Sequence, residues 1–138
     1  MNLRDLSRTG GIVAAIATVI VLAAPYAAVS GHEGLLVAYY SAGPIGAGGV
    51  GLFATVSAVV LASIERGNVD PGTLAGVAVV LGAATTLAAV LWYLSIDSTV
   101  LFSFPPEYRW LEWHAPAVVT LSLPVPLAAG VYARELFA

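Results

Sequence analysis

The sequence contains no cysteine and no lysine. Without cysteine there are no disulfides, thiolate metal sites or thiol redox chemistry. Without lysine, all five basic charges fall on arginine, at Arg4, Arg8, Arg66, Arg109 and Arg134. They are too few and too scattered to form a nucleic-acid footprint. Charge of either sign is scarce: charged residues make up 9% of the chain, against about 25% in a soluble domain. Hydrophobic residues make up 59%, and the mean hydropathy is +0.93. A body of 138 residues buries only a modest core. Apolar surface on this scale aggregates unless lipid covers it.

Four long apolar runs take the place of the missing charge: Gly10–Ser30, Pro44–Ser63, Gly72–Ser95 and Ala115–Ala133. A helix crosses a bilayer in roughly 20 residues. The runs therefore predict an all-α integral membrane four-helix bundle, with residues 1–138 forming one membrane domain. The first run follows Arg4 and Arg8 and ends at Ala28-Val29-Ser30, a weak small-residue cleavage pattern. Its apolar stretch exceeds the about 7–15 residues of a signal peptide, so it is expected to remain as a span.

Four spans put Met1–Arg8, Glu65–Asp70 and Arg134–Ala138 on one side, with four of the five arginines. The opposite side holds Arg109. The positive-inside rule then predicts that both termini are cytoplasmic. In the short connection Glu65–Asp70, Gly67 and Asn68 suit a turn. Asp70 suits a helix N-cap, with Pro71 at the first helical position. The extracytoplasmic segments, Gly31–Gly43 and about Ile96–His114, are aromatic-rich. They predict a cap at headgroup level or folded back over the helix ends.

Lipid gives helices no hydrophobic drive to pair, so small residues must allow close backbone contact. Ala47, Gly51 and Thr55 form one candidate packing face, and Gly72 and Gly76 another. Pro116 is expected in the first turn of the fourth span. Pro124 and Pro126 fall mid-span, where they break or kink the helix unless neighbours satisfy the freed carbonyls.

The spans carry no ionisable residue well inside the bilayer, which argues against proton pumps, ion-coupled carriers and voltage sensors. Their hydroxyls can bond back to their own helix carbonyls. Ionisable chemistry gathers on the aromatic side. His32 and His114 are weak candidate metal ligands, but they lack a recognised ligand spacing, so no metal and no other cofactor is expected. Neither Ser41 nor Ser103 has a nucleophile motif around it, and no catalytic residue is expected. The most distinctive segment is Tyr108-Arg109-Trp110-Leu111-Glu112-Trp113-His114. Within it Tyr108, Arg109, Trp110, Glu112 and Trp113 are candidates for interface anchoring or for docking a partner or ligand, together with Pro124 and Pro126 on the broken helix.

The missing lysine and cysteine, the acidic balance, the Ala/Val/Gly-rich spans and the segment Trp110–Pro116 resemble small four-span membrane proteins of haloarchaea, from families of unknown function. The resemblance implies a halophilic cell membrane and brings no activity or catalytic residue. The leading expectation is a non-enzymatic accessory or scaffold subunit, embedded in the lipid bilayer and packed against a membrane protein partner or in a homo-oligomer, with no nucleic acid. Two alternatives stand beside it. One is a small-molecule, lipid or pigment binder or transporter, with a site between the outer cap and the fourth helix near Thr120 and Ser122. The other is an outer-face metal or redox site.

Overall fold

The computed structural model describes residues Asn2–Phe137. Among them there is no strand. The helices are α1 (Leu3–Ala28), α2 (Glu33–Tyr40), α3 (Gly46–Ser63), α4 (Pro71–Ser95), α5 (Ser98–Ser103), α6 (Leu111–Ser122) and α7 (Pro124–Phe137). Short 3₁₀ turns at Ile64–Arg66 and Pro106–Tyr108 link them. Four helical stretches are long and apolar enough to cross a membrane: Leu3–Ala28, Gly46–Arg66, Pro71–Ser95 and Pro106–Phe137. The chain is an all-α protein with four candidate membrane spans.

The first helix begins before its apolar run. The Asn2 side chain accepts the Asp5 N–H at 2.9 Å and caps it. Arg4, Asp5 and Arg8 are therefore helical. The α3–α4 connection turns at Gly67, whose φ of +71° is the left-handed conformation that glycine adopts without a Cβ penalty. Asp70 then caps α4, accepting the Thr73 N–H at 3.0 Å with Pro71 at the helix start.

The spans form a ring in chain order. α1 packs on α3, α3 on α4, α4 on α6 and α7, and these return to α1. Arg8 pairs with Glu65, and a Cβ on Gly72 would touch the Phe137 ring. The start of α1, the α3–α4 turn and the end of α7 thus meet at one end of the bundle. At the other end lie α2 and α5.

The buried face of α3 runs through Ala47, Val50, Ala54, Ser57 and Leu61. That of α4 runs through Ala75, Ala78, Gly82, Thr85 and Ala89. Each overlaps only in part with the small-residue faces read from sequence. Ala47 is buried, and a Cβ on Gly51 would sit 3.4 Å from Leu22, but Thr55 is exposed. Gly72 lies near the α4 end, and Gly76 has nothing within 4 Å of its Cβ position. The physical reason is that every face of these helices is apolar, so small residues do not by themselves choose the buried one. Gly82 marks the close approach: a Cβ there would lie 2.8 Å from Pro126 Cα and 2.9 Å from Pro126 N.

The break in the fourth span has a local cause. Pro124 opens α7 and Pro126 sits in its first turn, where a missing N–H costs least. Pro124 leaves the Thr120 carbonyl without its usual donor, and the Leu123 N–H reaches it at 3.3 Å. Pro126 likewise frees the Ser122 carbonyl, and the Thr86 hydroxyl of α4 donates to it at 3.1 Å. Pro116 lies inside α6 rather than in its first turn, because α6 begins as early as Leu111.

These contacts make opposite predictions for two glycines on one helix. Gly82→Ala must displace the α7 backbone and should lower stability by roughly 1–3 kcal/mol, the usual cost of overpacking. Gly76→Ala adds a methyl to open space and should be neutral or slightly stabilising, as alanine is the better helix former. Reversible unfolding in mixed micelles measures both; equal effects would rule out the close α4–α7 approach.

Candidate functional site

Pro25 lies near the end of α1 and has no N–H, so the Val21 carbonyl one turn earlier has no helical donor. Inside a bundle that vacancy is costly unless another group fills it. His114 fills it: Nε2 lies 2.6 Å from Val21 O. A carbonyl only accepts, so Nε2 carries the proton. In that tautomer Nδ1 is the acceptor, and the Tyr39 hydroxyl donates to it at 2.6 Å. Trp92 completes the chain, its indole N–H donating to the Tyr39 backbone carbonyl at 2.9 Å. The Tyr40 hydroxyl donates to the Leu22 carbonyl at 2.6 Å.

One polar chain therefore ties α1, α2, α4 and α6 together. Trp92 and Tyr39 are 1% and 0% exposed, and His114 is 5% exposed. The rings add edge contacts, with Tyr39 and Trp92 centroids 5.2 Å apart and Trp92 and His114 centroids 5.9 Å apart. Tyr40 stacks on Trp92 at 6.4 Å. Burial first, and then the neighbouring Tyr40, raises the Tyr39 pKa well above a tyrosine's ordinary value. Its hydroxyl stays protonated and available as a donor. Burial also raises Tyr40, opposed by a backbone hydrogen bond from Tyr26.

The segment singled out from sequence divides at this site. Leu111 and His114 point into the bundle, whereas Trp113 is 72% exposed and Trp110 is 39% exposed. Trp110 still meets the His114 ring edge-on, with centroids 6.4 Å apart. Arg109 lies over the Phe102 ring, 5.2 Å from its centroid, and reaches Glu112 at 3.5 Å. The pair is solvent-exposed, so it contributes little to stability. The Tyr108 ring packs near His32 and Phe104. Pro124 and Pro126 lie farther along the fourth span at the α6–α7 break.

The two histidines have separate surroundings. His32 packs edge-on against Phe104 and Tyr108, while both ring nitrogens of His114 are occupied by Tyr39 and Val21. Among the described residues no group of three or more His, Asp or Glu is placed to hold a metal. The polar groups assigned by sequence to a cavity at the fourth span are engaged differently. Ser122 is fully buried and its hydroxyl donates to Val119 O at 2.7 Å. Thr120 is exposed and donates to Pro116 O at 2.9 Å.

A groove of about 490 Å³ lies instead along one face of α2, lined by Glu33, Leu36, Val37, Tyr40 and Ser41, with Tyr26 of α1 as its wall. Sequence reading placed Tyr39 and Trp92 only among the aromatics of the outer belt and passed over Pro25. Pro25 was the available signal, since an intrahelical proline announces a carbonyl in need of a donor.

The chain belongs to a family of unknown function (DUF7548), whose profile matches residues 1–137. No curated protein and no solved structure matches it. Family membership covers nearly the whole chain and assigns no activity.

The Tyr39–His114 contact can be measured directly. Tyr39→Phe leaves buried Nδ1 without a donor and should cost about 1–3 kcal/mol. His114→Leu removes both bonds and orphans the Val21 carbonyl, so it should cost more. In a double-mutant cycle the pair should be non-additive by about 0.5–3 kcal/mol. Additive losses would show that the two side chains are not coupled.

Proposed function

We propose that this protein is a non-enzymatic multi-pass membrane subunit that packs against a larger membrane protein or a second copy of itself. One observation carries this reading: the polar side chains buried between the spans are already occupied by the bundle itself, Arg8 at its end apart. Thr18, Ser57 and Thr85 donate to carbonyls of their own helices, Ser122 does so within α6, and His114 and Tyr39 are joined to each other. Such groups leave little unassigned donor or acceptor capacity for a substrate.

The outer faces, by contrast, are unassigned. The most apolar windows of the four spans are only 28%, 33%, 33% and 33% buried within the chain. Leu52, Val59, Val80, Leu87 and Leu127 all project outward. A small bundle of this kind has more surface for lipid and partners than for its own core. The missing lysine and the acidic balance support a high-salt cell membrane, in keeping with the resemblance to haloarchaeal four-span proteins.

A second reading, that of a small-molecule or lipid binder, is favoured by the α2 groove. Its volume falls in the roughly 300–1,000 Å³ range of ligand sites, and its lining is mostly apolar with Glu33 as the one ionisable carboxylate besides the two phenols. Gentle solubilisation from native membranes followed by native mass spectrometry separates the readings. A stable complex with another subunit, or a defined homo-oligomer, is expected. A lone monomer carrying a small ligand would overturn the scaffold reading in favour of binding.

We also infer that both termini are cytoplasmic and that α2 and α5 face outward. Arg4, Arg8, Arg66 and Arg134 lie at or beside the end where the termini meet, and Arg109 lies towards the other. The short connections are the regime in which arginine bias orients a chain. The native sequence has no cysteine, so single-cysteine variants report cleanly. Glu107→Cys should react with a membrane-impermeant maleimide in intact cells, and Val69→Cys only after the membrane is opened. The reverse pattern would invert the topology.

A further inference from the structure

Among the described residues, one buried side-chain polar atom has no hydrogen-bond partner: Arg8 Nε. A buried donor without an acceptor is uncommon in a folded protein and calls for an explanation, often an absent water or ion. Arg8 is a partly satisfied guanidinium. It contacts Glu65 through Nη2 alone, and its side chain is 13% exposed while that of Glu65 is 64% exposed. A cavity of about 230 Å³ adjoins it, lined by Arg4, Asp5, Arg8 and Glu65 on its polar side and by Ile64, Pro71, Tyr132 and Leu136 on its apolar side. Arg4 makes no ion pair among the described residues.

We propose that this cavity seats the phosphate group of a lipid headgroup, held by the Arg4 and Arg8 guanidiniums, with the first carbons of the lipid against Ile64, Tyr132 and Leu136. Guanidinium is the side chain best matched to a phosphate, because its planar fork offers parallel N–H donors. The cavity lies at the end of the bundle where α1 begins and α7 ends, the level at which spans of this length meet headgroups. Two features favour a lipid over free phosphate. The lining is amphipathic, as a headgroup joined to hydrocarbon requires. Asp5 and Glu65 offset the two arginines, which suits the single charge of a phosphodiester better than the double charge of inorganic phosphate. The site is separate from the α2 groove and does not depend on the scaffold reading.

The test uses the full chain in alkyl-maltoside micelles, titrated with phosphatidylglycerol and followed by native mass spectrometry. One lipid should be retained beyond the level seen with a neutral glycolipid of the same tails. Arg4→Gln/Arg8→Gln should weaken retention at least tenfold, and Arg134→Gln, an exposed arginine that does not line the cavity, should leave it unchanged. Arg4→Gln alone should weaken retention severalfold, and because Arg4 is exposed it tests the site even where the double variant fails to fold. Inorganic phosphate at millimolar levels should not displace the lipid. Displacement, with phosphate binding on its own, would overturn the lipid assignment and make the ligand free phosphate. Equal retention in wild type and Arg4→Gln would overturn the site altogether, leaving Glu65 as the sole partner of Arg8.

Discussion

A carbonyl that loses its helical donor inside an apolar bundle has no water to turn to, and much of this structure is organised around that constraint. Proline creates the vacancy by lacking an N–H. Pro25 opens one at Val21, Pro124 at Thr120 and Pro126 at Ser122. Each is filled by a different device: an imidazole from α6, a backbone N–H one residue before the proline, and a hydroxyl from α4. Two of the three devices bridge helices. The prolines therefore act as fasteners as well as breaks, because the carbonyl they release can be satisfied by a neighbour only when that neighbour is in register.

The Val21 vacancy has the longer reach. Filling it fixes the His114 ring, and the tautomer this imposes turns Nδ1 into an acceptor for Tyr39. Tyr39 belongs to an eight-residue helix, too short to be stable alone. Trp92 holds the same residue by its backbone. The short helix is thus tied to the bundle through both its main chain and its side chain, and the aromatic rings pack around that connection. A sequence whose aromatics gather on one side ends up with a buried polar chain beneath them, and the order of that side rests on a proline in α1.

The number of spans was legible because twenty apolar residues in a row leave few alternatives. The Asp70-Pro71 helix start was legible because capping is local chemistry. What remained hidden depended on pairing between distant segments. Thr55 and Gly76 have the composition of packing residues yet lie exposed; with no polar face to mark the outside, sequence cannot tell one small-residue face from the next. His114 read as a loop residue because it precedes the apolar run. In the structure α6 begins before it, and the polar ring is buried where a free carbonyl awaits it. The mid-span prolines were tied to a need for outside donors; only the Ser122 carbonyl takes one, and Thr86 could not be named as that donor without knowing which face of α4 meets α7.

The two ends of the bundle solve their polar problem differently, and the contrast bears on function. At the α2 end the partners of His114 and Tyr39 come from the chain itself, so that end can be ordered before anything binds. At the end where the termini meet, the Arg8 fork is half engaged with an exposed carboxylate, and its Nε is shut away from solvent with no acceptor. Desolvating a guanidinium donor without a partner is costly, more so than for a neutral group. A lipid phosphate in the adjoining cavity would engage the guanidinium N–H groups left open beside Glu65, since Nε itself is closed to any ligand. In that arrangement the membrane completes one end of the protein while the protein completes the other. Between them lies an apolar flank, mostly unburied within the chain, whose covering would displace none of the internal hydrogen bonds described above.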